Sequence, residues 1–207
     1  MAAAEIASFV AMGDSFTAGA GCPDGSRWTD RLAAALRGRD AELAYRNLAV
    51  DGATSADVQR QLDPALALEP DLVTLICGVN DVLLSVRPDV DGYAARLGQM
   101  FECLKAAPRQ PLVITATAPE RLHFLGLGPR SERRVRSGLR RVNEHTRRLA
   151  AEHDVVCLEV VGHPALDEPR YFQADGLHPS ALGHARAAAV FESLLDRASM
   201  EMQGGRR

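Results

Sequence analysis

Apolar runs of six to eight residues alternate with longer helical patterns along almost the whole chain, and this alternation restricts the possible folds most strongly. Five runs have the length and composition of buried strands, at residues 6–12, 43–50, 71–77, 111–118 and 155–160. Strands that alternate with helices pair into a parallel sheet through right-handed crossovers. We therefore predict an α/β fold in which helices cover both faces of a five-stranded parallel sheet.

Helical periodicity fills the segments between these strands. The predicted helices span residues 27–36, 54–68, 90–107, 131–153 and 181–200, and Pro64 is expected to kink the second of them. The tail from about residue 201 to residue 207 is predicted to fray. A length of 207 residues, without an internal repeat or a linker, predicts one domain over residues 1–207.

Charge and cysteine content argue against several classes of protein. A net charge of −3 gives no general reason to bind nucleic acid or an anionic membrane, and no run approaches the roughly 18 apolar residues of a membrane-spanning helix. The first residues lack the positive region of a secretory signal, so we expect a cytoplasmic protein. The four cysteines show no metal-binding spacing and are expected to be free thiols.

Polar or glycine residues follow four of the predicted strands. Ser15 lies in a Gly-Asp-Ser-Phe turn after the first strand, Gly52 follows the second, and Asn80 follows the third in Gly-Val-Asn-Asp. Asp175 and His178 follow the fifth strand, in Asp-Gly-Leu-His-Pro before the last helix. Because open α/β sheets bind ligands at the carboxyl ends of their strands, we expect these residues to lie close together.

These residues supply each group that a serine hydrolase requires. The Ser15 hydroxyl is a weak nucleophile, and His178 is the candidate base that removes its proton. Asp175, three residues earlier, is the candidate carboxylate that orients the imidazole. The backbone N–H groups of Ser15 and Gly52 and the Asn80 side-chain amide are candidate donors to an oxyanion. Each residue alone also fits a turn or a helix start, but their order together predicts a hydrolase.

From the first strand to the last helix, the chain resembles the GDSL-type esterases and lipases of the SGNH hydrolase superfamily. Residues 13–16 resemble the block that carries the nucleophile, and Gly52 resembles the oxyanion-hole glycine of the second block. Residues 78–81 match the Gly-x-Asn-Asp block, and residues 175–179 match the Asp-x-x-His block.

This resemblance implies a flavodoxin-like, three-layer α/β/α fold with the sheet order 2-1-3-4-5. It also implies that the protein hydrolyses an ester of a small molecule through an acyl-enzyme, with no metal or organic cofactor. Ser15, Asp175 and His178 match the family's catalytic residues, and Ser15, Gly52 and Asn80 match its oxyanion hole. A G-x-S-x-G nucleophile elbow is absent from the sequence, which disfavours the larger α/β-hydrolase class.

The connections after the fourth and fifth predicted strands are longer than a simple crossover needs, and surplus loop at this edge is usually functional. Phe124 and Leu125 in the first loop, and Tyr171 and Phe172 in the second, are candidate substrate-binding residues. The same four apolar side chains are also consistent with a cover over the edge of the core.

The predicted helix over residues 131–153 is rich in arginine. Its arginines lie between apolar positions, which is typical of the solvated face of an amphipathic helix and favours that interpretation over nucleic-acid binding. A further hypothesis is that Arg130, Arg133 or Arg134, at the helix start, contacts an anionic part of a substrate.

Two alternatives to an esterase are consistent with the sequence. The same triad can serve a deacetylase or an acyltransferase that acts on an acetylated sugar or a secondary metabolite. A catalytically inactive binding module on this fold is the alternative from a different class, and the intact set of Ser15, Asp175 and His178 argues against it.

Overall fold

The computed structural model describes residues 6–38 and 42–204, with side chains through residue 197. The strands are β1 (Ser8–Gly13), β2 (Ala44–Asn47), β3 (Leu72–Ile76), β4 (Leu112–Ala116) and β5 (Val156–Leu158). The helices are α1 (Ser15–Ala18), α2 (Trp28–Arg37), α3 (Ser55–Gln59), α4 (Leu62–Leu66), α5 (Val79–Leu83), α6 (Val90–Ala106), α7 (Pro129–Glu152) and α8 (Ala181–Gly204). Two short 3₁₀ turns, Pro164–Asp167 and Pro169–Tyr171, follow β5.

All strand pairs of the sheet are parallel, in the order β2-β1-β3-β4-β5. This confirms the predicted α/β fold and the sheet order that the family resemblance implies. Since consecutive parallel strands need crossovers, the helices lie on both faces, and the carboxyl ends of the strands meet at one edge.

The two faces of the sheet carry separate apolar cores, and β1 contributes to both by alternation. Phe9 and Ala11 pack with Trp28 and Phe191 of α2 and α8. Val10 and Met12 face the opposite side, where α3, α4, α6 and α7 cover the sheet. Because successive strand residues point to opposite faces, an uninterrupted apolar run is the pattern that a strand buried on both sides requires.

The segment after β2 differs from the sequence-based expectation of one kinked helix. It forms two short helices, α3 and α4, separated at residues 60–61. Arg60 and Gln61 donate to the carbonyls three residues earlier, which tightens the end of α3. Pro64 therefore lies in the first turn of α4, where its missing N–H removes no helical bond. The helical segment is interrupted before Pro64 and is not kinked at it.

Other boundaries differ in smaller ways. The one-turn helix α5 was not predicted, and β2 ends at Asn47 instead of near residue 50 because the Asn47 side chain accepts from the Ala49 N–H. Helix α8 continues to Gly204, past the predicted end near residue 200. Of the tail predicted to fray, residues 205–207 lie outside the described residues, as do residues 1–5, which bear on a secretory signal.

Two buried amide side chains fix the carboxyl ends of the central strands. The Gln61 Oε1 accepts from the Gly13 N–H at 2.8 Å, and its Nε2 donates to the Gly13 carbonyl at 2.9 Å. Asn143 on α7 forms the same pair of bonds with the backbone of Ala118, at 2.7 and 2.9 Å. These bonds pair the buried N–H and C=O groups of Gly13 and Ala118, at the points where the strands end and the loops of the candidate site begin.

No helix in the described part of the chain is both long enough and apolar enough to cross a bilayer.

Candidate active site

Ser15 is the first residue of α1, directly after β1. Asp14 caps this helix, with its Oδ1 accepting from the Phe16 N–H at 3.1 Å. Gly13, before it, has a φ of 154°, and a Cβ at this position would overlap the Ile76 carbonyl and the Thr17 side chain. Glycine therefore allows the sharp change from strand to helix that places the Ser15 hydroxyl at the edge of the sheet.

The structure brings Ser15, His178 and Asp175 into one hydrogen-bonded chain. The His178 Nε2 lies 3.0 Å from the Ser15 Oγ, and the His178 Nδ1 lies 2.6 Å from the Asp175 Oδ2. The other Asp175 oxygen accepts from the backbone N–H groups of Leu177 and His178, at 2.9 and 3.0 Å. Such a chain is the arrangement in which a carboxylate orients an imidazole that accepts a proton from a serine.

The Asp175 turn is held in place by its surroundings. Gly176 has a φ of 71°, and a Cβ there would overlap the backbone carbonyl of Phe124. Partial burial raises the pKa of Asp175, but the hydrogen bonds from His178 and the two backbone N–H groups outweigh it and leave that pKa below its usual value. Asp175 is therefore ionised across the neutral range.

Solvent reaches the base and its carboxylate. The His178 side chain is 24% exposed and that of Asp175 is 46% exposed. A group that receives a proton from His178 can thus leave on this side of the site, and a water molecule can approach by the same route.

The three predicted oxyanion donors lie at the ends of neighbouring strands. In the described part of the chain, the backbone N–H groups of Ser15 and Gly52 donate to no other protein group. The Asn80 Nδ2 donates to the Ala53 carbonyl at 3.0 Å, which ties α5 to the loop that carries Gly52. An amide group has two N–H bonds, so this contact orients Asn80 and leaves its second N–H available.

Asp14, which the sequence analysis did not assign a role, is almost fully buried at 4% exposure. Burial raises the pKa of Asp14 to about 7; the Phe16 N–H lowers it, nearby Asp81 raises it further, and His178 lowers it. Asp14 therefore titrates near neutral pH, in contrast to the ionised Asp175.

An apolar cavity of about 200 Å³ opens beside Ser15. Its walls come from the ends of β3, β4 and β5 and from α8, and they include Phe16, Ile76, Leu158, Val160, Val190 and Phe191. A concave, mostly apolar space next to a few polar groups is typical of small-molecule sites. We call this space the apolar cavity.

The four predicted substrate-binding residues differ in their relation to the apolar cavity. Tyr171 and Phe172 line it. The ring of Phe124 packs against that of Phe172, with centroids 5.2 Å apart, so it supports the wall from outside. Leu125 is not part of the wall, and Leu122 from the same loop lines the cavity instead.

The arginines at the start of α7 lie away from the apolar cavity. Arg134 donates to the backbone carbonyls of Val82 and Ser85, so it links α7 to the end of α5. Arg130 and Arg133 are exposed. Further along the helix, Arg147 forms an ion pair with Glu159 at 2.7 Å, which accords with a solvated helix face.

A metal centre is not evident in the described part of the chain, because no group of three or more His, Cys, Asp or Glu side chains is placed to share an ion. The cysteines described there are free thiols.

Sequence reasoning missed Gln61, Asp14 and the wall residues from α8. Gln61 lies 48 residues from Gly13 in the chain, and no local pattern marks that pairing. Phe191 and Val190 occur in a helical apolar pattern that indicates burial but not contact with a cavity. Asp14 was visible as the residue before the serine, and its position in a turn before a helix is the signal for a cap.

The chain matches a family model over most of its length. The model of the GDSL-like lipase/acylhydrolase family matches residues 11–186. No curated protein matches the chain.

Several solved structures are similar to this one. An acetylxylan esterase, Axe2, from Geobacillus stearothermophilus has a TM-score of 0.73 at 20% identity, over 94% of this chain and 96% of its own. A lipase/acylhydrolase from Enterococcus faecalis has a TM-score of 0.71 at 24% identity, over 90% of this chain and 93% of its own. The psychrotrophic esterase EstA from Pseudoalteromonas sp. has a TM-score of 0.73 at 17% identity, over 92% of this chain and 97% of its own. At these identities the likeness shows the shared fold.

Proposed function

The chain belongs to the GDSL-like lipase/acylhydrolase family of carboxylic-ester hydrolases, and from this we propose that it cleaves its ester through an acyl-enzyme formed on Ser15. The observation that carries the proposal is the unbroken chain of contacts from the Ser15 Oγ through His178 to Asp175. A hydroxyl within 3.0 Å of an imidazole nitrogen is in position to lose its proton as it attacks.

In the first half-reaction, the Ser15 Oγ forms a bond to the carbonyl carbon of the ester while its proton passes to the His178 Nε2. The carbonyl oxygen becomes an oxyanion, and the N–H groups of Ser15, Gly52 and Asn80 are its proposed donors. Collapse of this intermediate breaks the bond to the alcohol oxygen, which takes the proton from His178 and leaves.

In the second half-reaction, water replaces the alcohol. Its oxygen attacks the acyl carbon, His178 accepts one of its protons, and the same donors stabilise the second oxyanion. Release of the carboxylic acid returns the proton to the Ser15 Oγ. Asp175 stays ionised throughout and stabilises the imidazolium that forms twice in each cycle.

The size of the apolar cavity supports an acyl group longer than acetyl. A core cavity of about 150 Å³ is known to hold benzene, so a space of about 200 Å³ has room for roughly six to eight carbon atoms. An acetyl group would leave most of this space unfilled, which disfavours the deacetylase alternative.

The test is the hydrolysis of p-nitrophenyl acetate, butyrate and octanoate by the wild type and by Ser15→Ala. We expect kcat/KM to rise from acetate to octanoate and the variant to lose at least about 10⁴-fold in kcat. Ser137→Ala, which removes an exposed hydroxyl on α7, is the matched control. Wild-type turnover by Ser15→Ala would refute the proposal, and transfer of the acyl group to an added alcohol in preference to water would favour an acyltransferase.

A further inference from the structure

A second cleft, of about 360 Å³, adjoins the apolar cavity. It lies between α7 and the loops that follow β4 and β5. His163 and Leu166 line both spaces, whereas Ser15 lines only the apolar cavity. An acyl chain that begins at Ser15 and crosses the apolar cavity toward His163 therefore ends beside this second cleft.

Three arginines line this cleft. Arg140 is paired, with its Nε 3.5 Å from the Glu120 carboxylate. Arg121 and Arg136 have no carboxylate within ion-pair distance among the described residues. We call the cleft the arginine cleft.

Two acidic side chains also line the arginine cleft, and neither neutralises the two unpaired arginines. Glu120 contacts Arg140, and Asp167 is 72% exposed and lies 3.1 Å from the His123 Nε2. With the histidines neutral, the three arginines and two carboxylates give a net positive charge. Positive charge lining a concave surface attracts an anionic group.

We propose that the arginine cleft is a subsite for a carboxylate at the far end of the acyl group, so that the preferred substrates are esters of medium-chain dicarboxylic acids with one free carboxylate. This inference rests on the proposed acyl-enzyme function. Arg121 and Arg136 are the specificity-determining residues, since a guanidinium can bind a carboxylate with two parallel N–H bonds.

The acyl part of the ester, and not the alcohol, is the part that occupies the apolar cavity. His178 protonates the leaving alcohol, and its side chain is 24% exposed, so the alcohol departs on the exposed side. The acyl group stays bound to Ser15 while the alcohol leaves and water enters. The apolar cavity, whose walls come from the ends of β3, β4 and β5 and from α8, holds the acyl group during the exchange.

The order of the two spaces suits a chain that is apolar along its length and charged at its tip. A carboxylate among the apolar walls of the cavity would be disfavoured, because an unpaired buried charge loses its hydration. Among the described residues, the one arginine that lines the cavity, Arg186, lies 3.5 Å from His163, which borders the arginine cleft. In the arginine cleft the carboxylate meets cations and keeps access to solvent, since Arg121 and Arg140 are exposed and Arg136 is half-buried. The cavity volume fits an acyl chain of roughly six to eight carbons.

The experiment compares two p-nitrophenyl esters of equal acyl length, the octanoate and the half-ester of suberic acid, which carries a terminal carboxylate. We expect the wild type to have at least as high a kcat/KM for the half-ester as for the octanoate. The double variant Arg121→Gln/Arg136→Gln should lower the ratio of the two values about 10–100-fold, and Arg136→Glu should lower it further. Arg133→Gln, on an exposed part of the same helix, is the control and should leave the ratio as in the wild type.

The results that would contradict the inference can be distinguished from those that would contradict the proposed function. If the wild type hydrolyses the octanoate but has a kcat/KM at least 100-fold lower for the half-ester, the carboxylate subsite is overturned and the proposed function stays intact. An equal loss on both esters in the arginine variants would indicate a structural effect alone and would also overturn it. A loss confined to 4-carboxyphenyl octanoate, whose carboxylate is on the leaving group, would refute the acyl assignment. Failure to cleave either ester would refute the proposed function itself.

Discussion

The Ser15 Oγ and the His178 Nε2 lie 3.0 Å apart although 163 residues separate them in the chain. Ser15 reaches this position from the end of β1, and His178 reaches it from the turn before α8. Helix α8 packs on α2 over the face of the sheet that carries Phe9 and Ala11 of β1. The contact includes Phe191 and Trp28, whose ring centroids are 4.3 Å apart. The apolar core on this face of the sheet thus joins the helix that follows His178 to the strand that precedes Ser15.

Asn80→Ala is expected to lower kcat about 10²–10³-fold, because the variant removes one proposed oxyanion donor. KM should change little, since the lost interaction strengthens mainly as charge develops on the carbonyl oxygen. Steady-state kinetics on p-nitrophenyl octanoate give both constants. Because Asn80 also binds the Ala53 carbonyl, urea unfolding must accompany the kinetics to show that the variant is folded. A kcat within threefold of the wild type would contradict the donor role.

Gln61→Leu is expected to destabilise the protein by about 1–3 kcal/mol, because the buried Gly13 N–H loses its acceptor. The Gly13 carbonyl still accepts from the Val50 N–H at 3.2 Å. Gln59→Leu is the matched control, since Gln59 makes only an exposed bond to Gln99 and its loss should cost less than about 0.5 kcal/mol. Equal free energies of unfolding for the two variants would show that the Gln61 bonds do not stabilise the turn before Ser15.

The raised pKa of Asp14 predicts that the free energy of unfolding depends on pH. Burial raises its pKa in the folded state to about 7, above the usual value of 3.8, so its folded form binds a proton more tightly than the unfolded chain does. The contribution of Asp14 to the free energy of unfolding is therefore fully present below about pH 4 and is lost as the pH rises through about 7. Asp14→Asn removes this dependence, because asparagine does not ionise.

Urea unfolding at pH 5 and pH 8 measures the effect. From pH 5 to pH 8, the free energy of unfolding of the wild type should fall by about 2–3 kcal/mol relative to that of Asp14→Asn. Asp63→Asn, which replaces an exposed carboxylate in the first turn of α4, is the control for the substitution itself. A wild type and an Asp14→Asn variant with parallel pH profiles would mean that Asp14 titrates normally.

The sequence was sufficient to predict the sheet and the edge at which the candidate catalytic residues lie, for a physical reason. Each strand of a parallel sheet buried on both faces is a short apolar run, and four of the five runs here are followed by glycine or polar residues that mark the same edge. Ser15, Gly52 and Asn80 could be assigned to that edge because each lies within five residues of the end of its strand, and His178 because it lies in the connection between β5 and α8.

Contacts between distant segments could not be predicted in the same way. The bond between Gln61 and Gly13, the shared wall at His163 and Leu166, and the contact of Phe124 with Phe172 depend on how loops pack after the sheet has formed. Leu122 and Leu125 lie three residues apart in one apolar loop, and only the loop's path determines that Leu122 lines the apolar cavity. Periodicity cannot identify the inward-facing residue where no regular element is present.

The central claim, that Ser15 is the acylated nucleophile, is tested most directly by labelling with a fluorophosphonate and locating the adduct by mass spectrometry. Trypsin is unsuitable, since its N-terminal peptide, residues 1–27, also contains Ser8 and Ser26. Chymotryptic cleavage after Phe9 and Phe16 gives residues 10–16, in which Ser15 is the only serine. We predict one adduct, on this peptide, with its formation strongly slowed in His178→Ala. An adduct on a different serine, or an active enzyme that acquires none, would contradict the assignment.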